Sequence, residues 1–258
     1  MSLWMAWWEA ICLLRPAFSR QRSFMWFALA VAGLTVRTEM LGVTSIVRAL
    51  KLRPALYNKL RDSLHSNAVQ LDRLAALWTQ AVLRLFPEPL RVKGRRVLVG
   101  DGIKVAKCGR KMPGVKRLHQ ASDTKPSYIM GHSLQAVSLL VRAAHSVFAV
   151  PLAVRIHEGL VWSNRDRRTL LDRMILLLGI VSLKEPFYFV ADAYYAARKI
   201  VKGLRDQDNH LVTRVKSNAV AYVPYVQEGP RKRGRPRLYG AKIKLESLLD
   251  GKRLGAAS

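Results

Sequence analysis

Two short hydrophobic runs, Arg96-Val-Leu-Val-Gly-Asp101 and Phe187-Tyr-Phe-Val-Ala-Asp192, each end in an aspartate, and each is followed by residues that break a strand. Runs of this length and residue content read as buried strands. A carboxylate at the exposed end of such a strand is where a metal-dependent enzyme holds its ions. The two aspartates are 91 residues apart, so nothing local pairs them. Only a sheet that sets their strands side by side brings the carboxylates together, a geometry used by two-metal phosphoryl-transfer sites. Either aspartate taken alone is equally well explained as a turn or cap residue.

The surrounding pattern supports one sheet. Val97 to Asp101, Ser133 to Val141, Val147 to Val154, Pro186 to Asp192 and His210 to Val215 are short, apolar and bounded by turn or helix signals. Ser163-Asn164 can cap a helix running to Leu178 and ended by Gly179, and Tyr194 to Leu204 forms a second helix. The order of three strands, helix, strand, helix, strand is an α/β layout. Residues 1 to about 90 are helical instead, because Leu56, Leu60, Leu64 and then Leu71, Leu74, Leu77, Trp78 recur at three- and four-residue intervals, before Pro87 and Pro89. Thr44-Ser45 can cap a short helix through Leu50, and Arg53-Pro54 can open another to about His65, as in a helix-turn-helix or any small bundle. Beyond Val215 the chain is rich in Pro and Gly, with a further strand expected over Ala241 to Leu245.

Charge narrows the partners. Forty-four Lys and Arg against seventeen Asp and Glu leave a formal +27, which points to a polyanion. The bases are spread along the sequence, which suits nucleic acid better than an anionic membrane. An RNA-associated protein would explain the charge but not the paired aspartates. Ten bases and one acid lie between Arg91 and Arg117, enough to follow several phosphates. Phe24 to Val36 is apolar for only thirteen residues, too short to span a bilayer, and is expected as a buried helix. Trp4, Trp7 and Trp8 are not preceded by a basic stretch, so no signal peptide is expected. Cys12 is expected in the core. Cys108 is expected to be exposed, and the two cysteines lack metal or disulfide spacing. His119 and His132 can contact DNA, steady the site or serve structure alone. Tyr194 and Tyr195 can stack on a flipped base or pack beneath the site.

The runs Val99-Gly-Asp101-Gly-Ile-Lys-Val-Ala-Lys107, Gly109-Arg-Lys-Met-Pro-Gly-Val-Lys-Arg-Leu-His-Gln120, Tyr128-Ile-Met-Gly-His132-Ser, Ala191-Asp192-Ala-Tyr-Tyr195 and Thr213-Arg-Val-Lys-Ser-Asn218 together resemble bacterial insertion-sequence transposases of the DDE type, most of all the insertion-sequence-four-like ones. Arg233-Gly-Arg-Pro-Arg-Leu-Tyr-Gly240 resembles part of the β-rich insertion of that group. The resemblance implies an RNase H-like mixed sheet with flanking helices, in which two Asp and one Glu bind Mg2+ or Mn2+. Such enzymes cut the transposon end with water and join the 3′-hydroxyl to target DNA. It assigns the first two acids, as catalytic and metal-binding residues, to Asp101 and Asp192. It divides the protein into a helical region at 1–92, with DNA binding as one role open to it, an RNase H-like catalytic core at 93–216 and an incomplete β-rich insertion at 217–258.

The implied partner is double-stranded DNA, both transposon ends and target, with a dimer on DNA as one arrangement open to it. Lys104, Lys107, Arg110, Lys111, Lys116, Arg117, Arg231, Arg233, Arg235 and Arg237 are its candidate DNA contacts. The implied setting is a bacterial cytoplasm, at the nucleoid and away from membranes. The third acid of the resemblance lies in a pattern Tyr-x2-Arg-x3-Glu-x6-Lys. Tyr239, Lys242, Glu246 and Arg253 repeat its spacing with the two bases exchanged. Lys242-Ile-Lys-Leu alternates like a strand, and twelve residues follow Glu246, so Glu246 is expected in the insertion. The third acid is then absent and the transposase truncated at its C-terminal end, leaving either an enzyme lacking one ligand or a non-catalytic DNA-binding remnant.

Overall fold

A computed structural model describes residues 2–39, 42–107, 109, 112, 114–119, 124, 126–143, 145–157, 168–215, 218–226, 229, 234 and 238–248. Arg110, Lys111, Arg231, Arg233, Arg235, Arg237, Cys108, Ser163, Asn164 and Arg253 lie outside them.

Five helices come first: α1 (Leu3–Cys12), α2 (Gln21–Val36), α3 (Val43–Ala49), α4 (Leu56–Leu64) and α5 (Leu71–Leu85). The apolar run expected as a buried helix is α2, which buries Phe24, Ala28, Ala30 and Gly33. Gly33 is the crossing point with α3, since a Cβ there would stand 2.4 Å from Ile46 Cγ2. Ala30, Ile46, Val47 and Leu60 close a small core among α2, α3 and α4. The expected cap at Thr44-Ser45 is corrected. Gly42, at φ +65°, starts α3, and Ser45 donates back to its carbonyl at 2.7 Å from within the helix. Cys12 is exposed, not in the core, because α1 turns Ile11 inward at its last turn.

The sheet follows. Strands β1 (Arg91–Val92), β2 (Arg95–Ala106), β3 (Lys116–His119), β4 (Tyr128–Ala143) and β5 (Ser146–His157) precede α6 (Leu170–Val181); β6 (Phe187–Ala191), α7 (Arg198–Arg205) and β7 (His210–Val212) complete it. Their order is β3-β4-β2-β6-β7, with β1 beside β2 and β5 beside β4. Pairs β2–β4, β3–β4 and β4–β5 are antiparallel, whereas β2–β6 and β6–β7 are parallel. The protein is therefore mixed α/β. Strands β8 (Val220–Pro224) and β9 (Tyr239–Lys244) form a separate antiparallel pair.

One face of the sheet is covered. Leu98, Val137, Leu139, Val141, Phe187 and Phe189 form one core with Met174, Leu177, Ile200 and Leu204 of α6 and α7. Ala75 and Val82 of α5 join it, so α5 ties the helical region to the sheet although it precedes residue 92. On the opposite face, by strand alternation, Ile103, Val154, Ile156 and Val212 are exposed.

Three expected boundaries move for identifiable reasons. Strand β2 does not break at Asp101, because β4 continues to pair with it from Gly102↔Gln135 to Ala106↔Gly131. Gly131 permits that approach; a Cβ there would lie 2.2 Å from the Val105 carbonyl oxygen. Helix α6 begins after Thr169, whose side chain and that of Asp172 form a reciprocal capping box, and it runs through Gly179 to a left-handed Ser182. The Asp172 carboxyl is held down at about 2 by the hydrogen bond from Lys199 of α7, then by those from Thr169. The helix expected over Tyr194 to Leu204 is split. Ala193–Tyr195 makes one 3-10 turn, and extended backbone at Ala197 precedes α7.

Candidate active site

The last parallel pair of β2 and β6 is Gly100↔Ala191. The next residues are Asp101, within β2, and Asp192, just past the end of β6, so the two aspartates stand side by side where the parallel pairing ends. Gly100 makes the approach possible: a Cβ there would stand 2.5 Å from two ring carbons of Phe189. Beyond this point the partners diverge. β6 stops, while β2 runs on beside β4 as an exposed arm.

Each carboxylate is oriented by backbone. Asp101 Oδ1 accepts from the Gly102 amide at 2.6 Å, and Asp192 Oδ1 accepts from the Tyr194 amide at 3.1 Å. Thr213 donates its hydroxyl to the Asp192 carbonyl at 2.8 Å, which fixes the turn from the neighbouring strand end. Among the described residues, neither aspartate has a Lys or Arg partner.

The two carboxylates border a hollow of about 280 Å³, which Lys104, Gln135, Tyr194 and Tyr195 also line. Tyr195 is buried, and burial pushes its hydroxyl up to about 12; the Gln135 hydrogen bond opposes this, and the fields of Asp101 and then Asp192 add to it. The phenol is therefore protonated at neutral pH. Gln135 Nε2 donates to the Tyr195 hydroxyl at 3.1 Å and to the Leu170 carbonyl at 3.0 Å. One amide thus clamps the turn after Asp192 to β4 and to the start of α6. Its Oε1 is buried without a hydrogen-bond partner among the described residues.

A family model for DDE superfamily endonucleases matches residues 13–252. The chain belongs to the DDE superfamily endonucleases. No curated protein matches it. One similar solved structure is a cryo-EM piggyBac transposase synaptic complex with hairpin DNA, at 14% identity and a TM-score of 0.39, covering 84% of this chain and 46% of that one. The endonuclease chain thus spans less than half the length of that transposase, and the likeness is too distant to carry weight.

The donor set of the aspartate pair fits a hard divalent cation. Each carboxylate has one oxygen engaged by an amide and a second with no protein donor among the described residues, and oxygen donors of this kind suit Mg2+ or Mn2+. No group of three or more His, Cys, Asp or Glu that could hold a metal occurs among the described residues. Glu246 lies exposed in a 3-10 turn, Leu245–Leu248, after β9, and is not part of the hollow's lining.

The remaining expected residues gather on the arm. Lys104 donates to the His119 carbonyl at 2.6 Å, and the Arg117 guanidinium lies 4.1 Å from the centre of the Tyr128 ring. His119 meets Tyr128 edge to face at 5.2 Å. Lys107 and Lys116 lie on the same extension. His132 is buried on β4 opposite Val105. Tyr194 is exposed at the hollow and Tyr195 packs beneath it. Sequence reasoning did not single out Gln135. Its signal was a lone amide inside the apolar alternation of Ser133 to Val141.

Proposed function

We propose that the protein is a DDE transposase of the bacterial insertion-sequence-four-like kind, acting on double-stranded DNA by metal-dependent cleavage and strand transfer. The observation that carries the proposal is the pair of adjacent carboxylates where the β2–β6 pairing ends, which border one hollow and have no basic partner among the described residues. Asp101 and Asp192 would hold Mg2+ or Mn2+. When bound, such ions activate the attacking oxygen and neutralise charge on the phosphate. Backbone amides of Gly102 and Tyr194 fix how the carboxylates face the hollow. Tyr195, still protonated at neutral pH, keeps a donor at its base. Lys104 and the basic arm carry positive charge to a phosphate backbone approaching from that side. The RNase H-like assignment of the sheet, the helical region as a DNA-binding unit, and β8–β9 as the β-rich insertion belong to the same reading. So does a dimer on DNA.

A second reading is favoured by one observation, that two acids and not three meet at the site among the described residues. On it, the protein occupies transposon ends, or pairs with a complete transposase, without cutting. Both readings require duplex binding that weakens steeply with salt. On the second reading the purified protein, incubated with labelled duplex and Mg2+ or Mn2+, binds without appreciable nicking. Metal-dependent nicking that disappears in Asp101→Ala would favour the complete enzyme. Absence of duplex binding at low salt would overturn both readings.

A further inference from the structure

Helix α7 carries Arg198, Lys202 and Arg205 at intervals of four and three residues, which places them on one face. The opposite face is in the core through Ile200 and Leu204. All three bases are exposed, and none is ion-paired among the described residues. Their neighbour Lys199 differs, since it pairs with Asp172 at 2.9 Å. The free bases, with Val201, line a hollow of about 470 Å³. Asp206 closes one end of it and is the one carboxylate in the lining. A second hollow of about 450 Å³ shares Val201 and Arg205 with the first and reaches Ala196 and Thr213. Thr213 also holds the Asp192 carbonyl, so the second hollow reaches the turn that carries Asp192.

We infer that α7 is a phosphate track for the duplex on the side of the aspartate pair away from the β2–β4 arm, with Arg198, Lys202 and Arg205 as its contacts. The inference rests on the nucleic-acid reading above and extends it to residues outside the basic runs. Bases on the arm and on α7 then flank the carboxylates, so a duplex reaching the site is held on both sides of it. Seven residues of helix advance about 10 Å, on the order of three base-pair steps at 3.4 Å each. Three exposed cations on that length match successive phosphates. Burying the apolar face of α7 fixes the helix, which spares the entropy of ordering a loop on binding.

The test is fluorescence anisotropy of a labelled duplex across a salt series. It compares wild type, the triple variant Arg198→Gln/Lys202→Gln/Arg205→Gln, and a control with equal charge loss, Arg142→Gln/Lys184→Glu, at exposed bases outside the segments assigned to DNA. The triple variant is expected to flatten the slope of log affinity against log salt by about 3, near one unit per lost phosphate contact. The control should change it by less than about 1. Equal slopes for the two variants would overturn the track and leave only bulk charge. Wild type failing to bind duplex at low salt would instead overturn the nucleic-acid reading, and the track with it. Circular-dichroism melts verify that both variants remain folded, and substitution of Lys202 alone gives the same comparison if the triple variant does not.

Discussion

The two ends of the parallel pair β2–β6 treat acids in opposite ways. At the amino-terminal end, Glu185 is held by Arg91 at 2.7 Å and Arg96 at 3.1 Å, and close by Asn209 Oδ1 accepts from the Phe187 amide at 2.9 Å. At the carboxyl-terminal end of the pairing, Asp101 and Asp192 border one hollow and, among the described residues, accept from backbone amides only. Bases are plentiful in this protein, and Glu39, Asp62, Asp72, Asp172 and Asp208 all have one within 4.0 Å among the described residues. Glu9, Glu88, Asp206 and Glu246 have no such base among the described residues, so lack of a partner does not by itself mark a site. What sets Asp101 and Asp192 apart is that two such acids stand on adjacent backbone and border one hollow, which favours a cation arriving from solution.

The comparison breaks most visibly if the carboxyl-terminal pair does not bind metal. Mg2+ or Mn2+ at about 100 times its dissociation constant should stabilise wild type by about 2.7 kcal/mol, seen as a rise in Tm of several degrees. Asp101→Asn and Asp192→Asn should each abolish that rise, whereas Glu185→Gln should keep it. An equal metal response in all four proteins would show that the two ends do not differ in the way described.

Gly100→Ala probes the joint that sets the aspartates side by side. The added methyl meets the Phe189 ring at 2.5 Å, and overpacking of this kind costs about 1–3 kcal/mol. Urea unfolding should show that loss, with a weaker metal response as the last parallel pair shifts. Unchanged stability would mean that the strands are not so closely apposed.

At the paired end the effect is smaller and depends on pH. The Arg91 hydrogen bond, with Arg96 nearby, holds the Glu185 carboxyl below its ordinary 4.5, against a smaller opposing push from burial. A depressed acid stabilises the fold above its unfolded value and loses that contribution as pH falls through the folded one. Glu185→Gln should therefore cost about 1 kcal/mol at pH 7, a modest figure because the carboxylate is half exposed. The gap between variant and wild type should narrow below pH 4.5. A gap that persists undiminished at pH 3 would assign the effect to packing.

The smallest expected effect is none. Glu246→Gln should leave the metal-induced rise in Tm intact, because Glu246 follows β9 and does not line the aspartate hollow. A clear loss without unfolding would bring a third acid to the site.

Much of the sheet is legible in the order of residues because buried strands announce themselves locally. Val97 to Gly100 and Phe187 to Val190 are apolar, β-prone and short, and the helical period up to Leu85 is equally direct. The sequence by itself therefore marked the five central strand segments and the helical stretch up to Leu85, though not β3 or β8, and placed Asp192 at a strand end. It also set the charge that calls for a polyanion. What it left open depends on partners distant in sequence. The continuation of β2 past Asp101 exists because β4, some thirty residues later, pairs with it. The choice of Thr169 over Ser163-Asn164 was equally open until Asp172 completed a capping box. Only the tertiary structure put Gln135 against Tyr195, left both aspartates without a base among the described residues, and turned Arg198, Lys202 and Arg205 into one open face. Local propensity is written in neighbouring residues, whereas compensation of charge and shape is decided by whichever side groups the sheet brings together.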